Sequence, residues 1–294
     1  MGPSDMENYG EQVNRRVAVV MAVRNGMKYL PEQLGSIVGQ SCTPSEIAVV
    51  DDMSTDGSAE YIEVTCREIA EVKVLSAGSH TGRSVNGRIG ANFAKGLRAT
   101  SPGTDLIAFC DQDDIWEPDR LEHQTARLSC SAGRLMTTSD AEIIDGESEP
   151  TGSRLWAQFG IREDWNQLPL HDQIQRILAQ SVAVGATSMI RREFALAVGD
   201  PPRGLLHDRW WSIAAATHGG LDLDPTVTVK YRVHAGQAAG LASNSRPSAM
   251  ALRLVREPAD LVRQIVAISA LRKAAPEAAK DLSYRSIVRA VLKR

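Results

Sequence analysis

The chain has 294 residues, and its 33 Lys and Arg against 36 Asp and Glu give a formal net charge of -3. This length is sufficient for one large domain with a continuous apolar core, and the nearly balanced charge gives no indication of nucleic-acid binding. The four cysteines are far apart with no CxxC pair, which argues against a zinc cluster or a small disulfide framework and favours a reducing, cytoplasmic location. No apolar run approaches the roughly 18 to 20 residues that a membrane-spanning helix needs.

The first part of the chain alternates between predicted strands and helices. Residues 17–23 (VAVVMAV) form a continuous apolar, β-branched run, which is typical of a strand buried on both faces of a parallel sheet. Further strands are predicted at residues 46–50, 72–75 and 106–110. Apolar residues recur at helical spacing between them: Leu30, Leu34 and Ile37; Ile62, Cys66 and Ile69; Ile89, Phe93 and Leu97. Right-handed crossovers then predict an α/β fold with a Rossmann-like, mostly parallel central sheet and helices on both faces.

Acidic residues follow directly after two of these strands. Asp51-Asp52 follow the second strand, and Asp111-Gln112-Asp113-Asp114 follow the fourth. Because the carboxyl ends of parallel strands share one edge, we expect both clusters to lie in the crevice where such sheets bind ligands. A DxD triplet offers hard oxygen ligands that would bridge Mg²⁺ or Mn²⁺ to phosphate oxygens, although a solvated or helix-capping loop explains the same residues. The chain has neither GxGxxG after the first strand nor a GxxxxGK[ST] motif, which argues against dinucleotide-binding and P-loop proteins.

After about residue 116 the alternation weakens. Residues 121–128 are predicted to be helical, residues 135–138 extended, and residues 148–165 loop-like. Residues 241–294 are rich in predicted helix and carry eleven Lys and Arg against four Asp and Glu, a net charge of +7.

Several ordered stretches carry a resemblance to a known family. MAVRNGMKYLPEQLGSIVGQS, IAVVDDMSTDGS and LIAFCDQDDIWEPDRLE closely resemble the nucleotide-sugar half of family 2 glycosyltransferases, particularly the rhamnosyltransferase-like branch. SVAVGATSMIRRE, LLHDRWWSIAAATHG and VKYRVHAGQAAG resemble later blocks of that branch, in the expected order. The resemblance implies a GT-A fold and a metal-dependent, inverting enzyme that uses Mg²⁺ or Mn²⁺. It would move a single sugar, rhamnose or a hexose, from a dTDP- or UDP-sugar to a hydroxyl of a glycan, glycolipid or other small acceptor.

The resemblance also suggests a division of the chain. We expect a flexible leader over residues 1–16, a nucleotide-sugar-binding half over residues 17–115, and an acceptor-binding half of the same GT-A domain over residues 116–240. Residues 241–294 would form a basic helical C-terminal extension. Its charge suits an anionic membrane surface at the inner face of the membrane, but contact with a partner subunit in a homo-oligomer and a solvated appendage are open alternatives.

The resemblance implies roles for individual residues. The donor nucleotide would be bound by Ala22, Arg24, Asp51, Asp52 and Asp111, and the metal by Asp113 and His234. Arg24 stands where this branch commonly has an aromatic residue and Met53 where it has glycine, so the donor specificity stays open.

Asp208 matches the position of the catalytic base of that branch. An inverting transfer needs a base, because the acceptor hydroxyl must lose its proton as it attacks the anomeric carbon. Helix capping is the alternative role for this residue. Residues near the acceptor or the transferred sugar would be Gly185, His207, Trp210 and Trp211, with core packing as the alternative for the tryptophans.

Two other functions compete with this interpretation. A phosphotransferase of the haloacid-dehalogenase type also has DxD after an apolar strand, but there the motif follows the first strand rather than the fourth. A non-catalytic binding protein with the same fold is the second alternative, and a sequence alone does not separate it from an enzyme.

Overall fold

A computed structural model describes residues 15–78 and 83–238, together with Ser269 and Arg272. Apart from those last two residues, the extension predicted over residues 241–294 lies outside the described residues, as do residues 1–14 of the predicted leader. Within the described ranges, no helix has both the length and the apolar character needed to cross a bilayer.

The strands of the described ranges are β1 (Val17–Val23), β2 (Glu46–Asp51), β3 (Glu71–Ser76), β4 (Leu106–Cys110), β5 (Ile115–Trp116), β6 (Met136–Ile144), β7 (Pro150–Arg154), β8 (Ser188–Arg191) and β9 (Leu221–Arg232). The α-helices are α1 (Leu30–Val38), α2 (Ser58–Cys66), α3 (Val85–Ala99), α4 (Arg120–Ser129), α5 (Leu155–Phe159), α6 (Leu170–Ala179), α7 (Arg192–Val198) and α8 (His207–Thr217).

All of these strands belong to one sheet with the order β3-β2-β1-β4-β8-β6-β9-β5, and β7 pairs with β6. The first four strands of this order are mutually parallel. β8 is antiparallel to both β4 and β6, and β6 and β9 are again parallel to each other. The predicted α/β fold with a mostly parallel sheet is therefore confirmed. The carboxyl ends of β1, β2, β4, β6 and β9 and the start of β8 all lie along one edge.

Side chains of β1 alternate between two apolar cores. Ala18 and Val20 pack with residues of α3, α6 and α8, whereas Val19 and Met21 pack with residues of α1, α2 and α4. A strand that is buried on both faces has no polar side to present, which explains its uninterrupted apolar sequence. The prediction of helices on both faces of the sheet is confirmed.

The predicted loop over residues 148–165 is wrong, because it contains β7 and the short helix α5. β7 has the sequence PTGSR and is mostly exposed, so it shows no apolar alternation by which a strand could be recognised. The helix predicted to include Ile69 also ends earlier, at Cys66, although Ile69 still packs against the same core.

Candidate active site

The strand register explains why distant residues meet at the carboxyl edge of the sheet. Asp51 ends β2 opposite Val23, and Cys110, the residue before Asp111, lies opposite Met21. Because β8 runs antiparallel to β4, the turn that contains Gly185 reaches the same edge just before β8 begins. The two acidic clusters therefore lie along one edge, as the sequence predicted.

Three carboxyl groups at this edge influence one another electrostatically. The pKa of Asp111 is raised to about 7, first by burial and then by the negative charges of Asp113 and Asp208. Asp208 belongs to a segment almost a hundred residues further along the chain, so its effect on Asp111 places the two groups in one electrostatic environment. Several acidic groups that are close together and partly shielded from water favour the binding of a cation or a proton.

Asp113 and His234 form a close pair beside this cluster. The Nε2 atom of His234 lies 2.8 Å from Oδ2 of Asp113, and Nδ1 accepts the backbone N–H of Gly236 at 3.1 Å. An N–H pointing at Nδ1 assigns the proton of the neutral ring to Nε2, which then donates to Asp113. The ring of Tyr29 packs against the imidazole with 4.6 Å between ring centroids.

The residues present fit a divalent cation that is held jointly with a substrate phosphate. Among residues 15–78 and 83–238, no group of three or more His, Cys, Asp and Glu side chains is arranged to enclose a metal ion. Mg²⁺ in phosphate-binding sites usually takes only one or two carboxylates from the protein and its other ligands from phosphate and water. Asp113 meets that requirement, and a cation would relieve the crowding of charge seen at Asp111. His234 would bind the metal through Nε2 in the tautomer that carries the ring proton on Nδ1.

Asp208 lies in the first turn of α8, where its carboxylate is fixed by backbone donors. Its Oδ2 accepts the N–H of Gly185 at 3.0 Å, and its Oδ1 accepts the N–H of Arg209 at 2.6 Å. Burial raises the pKa of Asp208, and these two hydrogen bonds lower it only in part. A carboxylate whose pKa lies above its ordinary value is a better proton acceptor, which suits a general base.

The side chain of His207, the residue before Asp208, packs in the interior of the protein. Its side chain is buried and its ring stacks on Phe93 with 3.7 Å between centroids. In the described part of the chain neither ring nitrogen has a hydrogen-bond partner, and burial lowers the pKa of His207 to about 3. Gly185 lies against this ring, because a Cβ built on Gly185 would be 2.4 Å from Nε2. The burial of His207 argues against its predicted contact with the acceptor, whereas the predicted contact of Gly185 stays a prediction.

The structure also contradicts the prediction that Trp210 and Trp211 contact the acceptor or the transferred sugar. Trp210 is 1% exposed and Trp211 is fully buried. Both indole N–H groups donate to the carbonyl of Gly199, and the ring of Trp211 stacks on Phe109 at 5.1 Å. α8 is buried on all sides from Trp210 to Thr217, so these indoles belong to the core.

On the donor side, Asp52 lies between two arginines. Its Oδ2 is 3.6 Å from Nη1 of Arg24 and 3.1 Å from Nε of Arg88. Asp52 is buried, whereas the side chain of Arg24 is 45% exposed and faces solvent. Asp51 instead accepts the N–H of Ser54 within its own turn. This turn precedes α2, which begins at Ser58 without a side-chain cap, so Asp51 stabilises the turn and does not cap the helix.

The two loops beside Asp52 are joined by hydrogen bonds. Asn25 accepts the N–H of Thr55 at 2.8 Å and donates its own N–H to Ser54 Oγ at 3.0 Å. Asn25 and Met53 both have left-handed backbones, with φ of 48° and 60°. Non-glycine residues adopt this conformation at a cost, so it persists only where neighbouring contacts hold it. Ala22, a further predicted donor residue, lies partly buried near the end of β1.

The sequence interpretation missed two arginines of this edge. Arg88, on α3, pairs with Asp52. Arg232, the last residue of β9, is fully buried and donates its Nε–H to the carbonyl of Asp113 at 2.6 Å and its backbone N–H to Asp114 Oδ1 at 2.9 Å. Arg232 stands two residues before His234 in the stretch VKYRVHAGQAAG, but a sequence pattern does not reveal which of its residues is buried.

Solved structures with the same architecture identify the fold. The structure of Staphylococcus aureus TarS 1-349 in complex with UDP-GlcNAc matches 95% of this chain and 71% of its own, with 16% identity and a TM-score of 0.62. The mannosyltransferase PcManGT from Pyrobaculum calidifontis, in complex with GDP-Man and Mn²⁺, matches 95% of this chain and 86% of its own, with 17% identity and a TM-score of 0.54. At these identities the likeness establishes the fold, which is the GT-A fold of glycosyltransferases.

The sequence places the chain more specifically, since the model of glycosyl transferase family 2 matches residues 18–196 and the chain therefore belongs to that family. An uncharacterized glycosyltransferase of Nostoc sp. is 31% identical over 46% of this chain and 39% of its own length. The dTDP-rhamnosyl transferase RfbG of Shigella flexneri is 31% identical over 35% of each chain. The aligned part is thus well under half of either relative.

Proposed function

We propose that this glycosyltransferase is a metal-dependent, inverting enzyme that transfers one sugar from a nucleoside-diphosphate donor to an acceptor hydroxyl. The observation that carries the proposal is the position of Asp208. A buried carboxylate, held by two backbone N–H groups, lies close enough to the DxD residues to raise the pKa of Asp111, and those residues would bind the diphosphate side of the donor. Transfer with inversion requires a base and a diphosphate site on opposite sides of the anomeric carbon.

Each residue would have one task in the reaction. Asp208 accepts the proton of the acceptor hydroxyl as the new bond to the anomeric carbon forms and the bond to the diphosphate oxygen breaks. Asp113 and His234 hold the metal side of the cleft. A divalent cation bound there would neutralise the negative charge that develops on the leaving diphosphate. Gly185 keeps the carboxylate of Asp208 in a fixed orientation throughout.

The donor is proposed to be dTDP-rhamnose or a UDP-hexose. RfbG is named a dTDP-rhamnosyl transferase, and the TarS structure holds UDP-GlcNAc. Asp52 would accept a hydrogen bond from the N–H of a pyrimidine base or from a ribose hydroxyl, with Arg24 and Arg88 holding its carboxylate in place. Mn²⁺ in the PcManGT complex supports Mn²⁺ or Mg²⁺ as the cation. The acceptor is proposed to be a glycan, a glycolipid or a small molecule.

The proposal is tested by measuring thermal stabilisation of the protein by nucleotides with and without Mn²⁺. UDP, dTDP and GDP are compared first, and the corresponding nucleotide sugars follow. We expect stabilisation by a pyrimidine diphosphate that increases when Mn²⁺ is added, since a ligand that binds only the folded state raises its stability. Equal stabilisation in Mn²⁺ and in EDTA, for every nucleotide, would contradict metal dependence.

A further inference from the structure

A buried cation lies behind the metal side of the proposed site. Arg232 is fully buried, and its guanidinium group is paired with the carboxylate of Glu32, whose own side chain is 51% exposed. Its Nη1 also donates to Ser148 Oγ at 2.7 Å, and the guanidinium lies 4.7 Å from the centre of the Tyr29 ring. Burying a guanidinium group costs free energy unless its N–H donors are paired. These partners therefore fix the Arg232 side chain in one position.

These contacts connect three separate segments of the chain. Glu32 and Tyr29 belong to the start of α1, Ser148 belongs to the turn between β6 and β7, and Arg232 itself ends β9. Arg232 also donates to the carbonyl of Asp113. Since β5 pairs with β9 such that Ile115 lies opposite Lys230, the register brings Asp113 beside Arg232. The arginine thus holds the backbone of the DxD segment against the rest of the site.

The same contacts reach His234 from its other side. Tyr29 lies between the guanidinium of Arg232 and the imidazole of His234, with 4.6 Å between the two ring centroids. The turn between β6 and β7 covers this stack, because a Cβ on Gly146 would lie 3.3 Å from the Tyr29 hydroxyl and 3.7 Å from His234 Cβ. A shift of that turn would therefore be transmitted to the His234 ring.

Ser148 shows that the turn is held under strain. Its φ is 69°, in the left-handed region that non-glycine residues rarely adopt. Its hydroxyl donates to Glu32 Oε2 at 2.9 Å and accepts from Arg232, so the side chain has a bonding reason to stay in that conformation. Strained backbone that is held by specific hydrogen bonds is common next to functional sites.

We propose that Arg232, Glu32, Ser148 and Tyr29 form a positioning network that fixes Asp113 and His234 for the divalent cation. The proposal rests on the proposed function, because it assigns the network to that metal site. None of the four residues needs to touch the cation, since the network acts through the carbonyl of Asp113 and the ring of His234. Outer-shell partners of this kind typically change metal affinity about 10- to 100-fold when they are removed.

The test is a calorimetric titration of Mn²⁺ into the full-length protein saturated with UDP or dTDP. Ser148→Gly removes the hydroxyl but tolerates the left-handed backbone, so the variant should fold. Glu32→Gln removes the negative charge at a half-exposed position. We expect each variant to bind Mn²⁺ roughly 10-fold more weakly, with an unchanged affinity for the nucleotide in EDTA.

Glu60→Gln is the matched control, because Glu60 is also an exposed glutamate in the first turn of a helix, here α2, and is not one of the four network residues. It should bind Mn²⁺ as the wild type does. A lower unfolding temperature for Ser148→Gly and Glu32→Gln, with Mn²⁺ affinities within twofold of the wild type, would show a purely structural role and overturn the network proposal. Failure of the wild type itself to bind Mn²⁺ with either nucleotide would instead reject the metal site, and the network proposal with it.

Discussion

The ring of His207 occupies the space that a side chain on residue 185 would need, since a Cβ on Gly185 would lie 2.4 Å from Nε2 of His207. The same glycine donates its N–H to the carboxylate of Asp208. The requirement for glycine and the orientation of the proposed base are therefore linked through one backbone position. A larger side chain at residue 185, or a shift of the backbone of this turn, would therefore move Asp208.

Gly185→Ala is the variant that follows from this contact. The added methyl group must displace the turn or the buried ring that packs next to Asp208, and a displaced turn weakens the hydrogen bond to Asp208. We expect kcat to fall roughly 10- to 100-fold, with the affinity for the donor nucleotide unchanged. Gly35→Ala is the control, because a Cβ at that position in α1 meets nothing within 4 Å. It should leave kcat unchanged and raise the free energy of unfolding by about 0.5–1 kcal/mol. Wild-type kcat in Gly185→Ala would contradict the linkage.

His207 should make the folded protein sensitive to acid. Burial lowers the pKa of His207 to about 3 from an ordinary value of 6.5, so the ring takes up a proton in the unfolded chain well before it does in the folded one. The stability due to the neutral ring is fully present above pH 6.5 and is lost as the pH falls toward 3. Denaturant unfolding at pH 7 and pH 4.5 should show a smaller loss for the non-titrating variant His207→Leu than for the wild type. Equal losses would mean that the folded protein protonates His207 normally.

Asp52 and Asp51 provide a matched pair for the donor site. Asp52→Asn removes the negative charge from between Arg24 and Arg88 and should weaken nucleotide binding about 10-fold, as expected for loss of a charge-assisted hydrogen bond. Asp51→Asn keeps an oxygen that accepts from Ser54 and should have little effect. Calorimetric titration of UDP and dTDP checks both variants, and a weaker affinity in Asp51→Asn alone would reverse the assignment.

The corrected role of Trp211 can be tested by separating stability from acceptor binding. Trp211→Phe shortens a fully buried ring and loses the hydrogen bond to Gly199, which should cost about 1–3 kcal/mol of unfolding free energy. The KM for the acceptor should stay unchanged at a temperature where the variant is folded. A raised acceptor KM with unchanged stability would restore the sugar platform that the sequence suggested.

The parts of the fold that could be predicted are those with one dominant physical signal. β1 and β4 begin and end where the sequence predicted, because a strand buried on both faces is a continuous apolar run with sharp ends. β7 could not be predicted, because an exposed edge strand has no apolar face, and its pairing with β6 decides its conformation. Local sequence carries little information about a strand of that kind.

The residues of the site also differ in how well the sequence predicts their positions. Asp113, Asp208 and His234 stand in recognisable motifs, and their arrival at one edge follows from the parallel sheet. Arg232 and Arg88 have their partners far along the chain, so their own segments did not indicate these contacts. Trp210 and Trp211 misled the interpretation, because a tryptophan pair at a helix start suits a sugar site as well as a core. Only the complete burial of α8 distinguishes the two.

The central claim is that Asp208 is the base, and Asp208→Asn tests it most directly. The asparagine preserves the size and keeps one oxygen as the acceptor for Gly185, while the acceptor for the N–H of Arg209 is lost. We expect the variant to fold and to bind the Mn²⁺–nucleotide complex as the wild type does. Sugar transfer from the donor identified by thermal stabilisation is then measured for both proteins between pH 5 and pH 9. We expect Asp208→Asn to be at least about 100-fold slower than the wild type across this range. The part of the wild-type pH dependence that comes from the raised pKa of Asp208 should be missing in the variant. Wild-type rates in Asp208→Asn, with intact donor binding, would contradict the central claim.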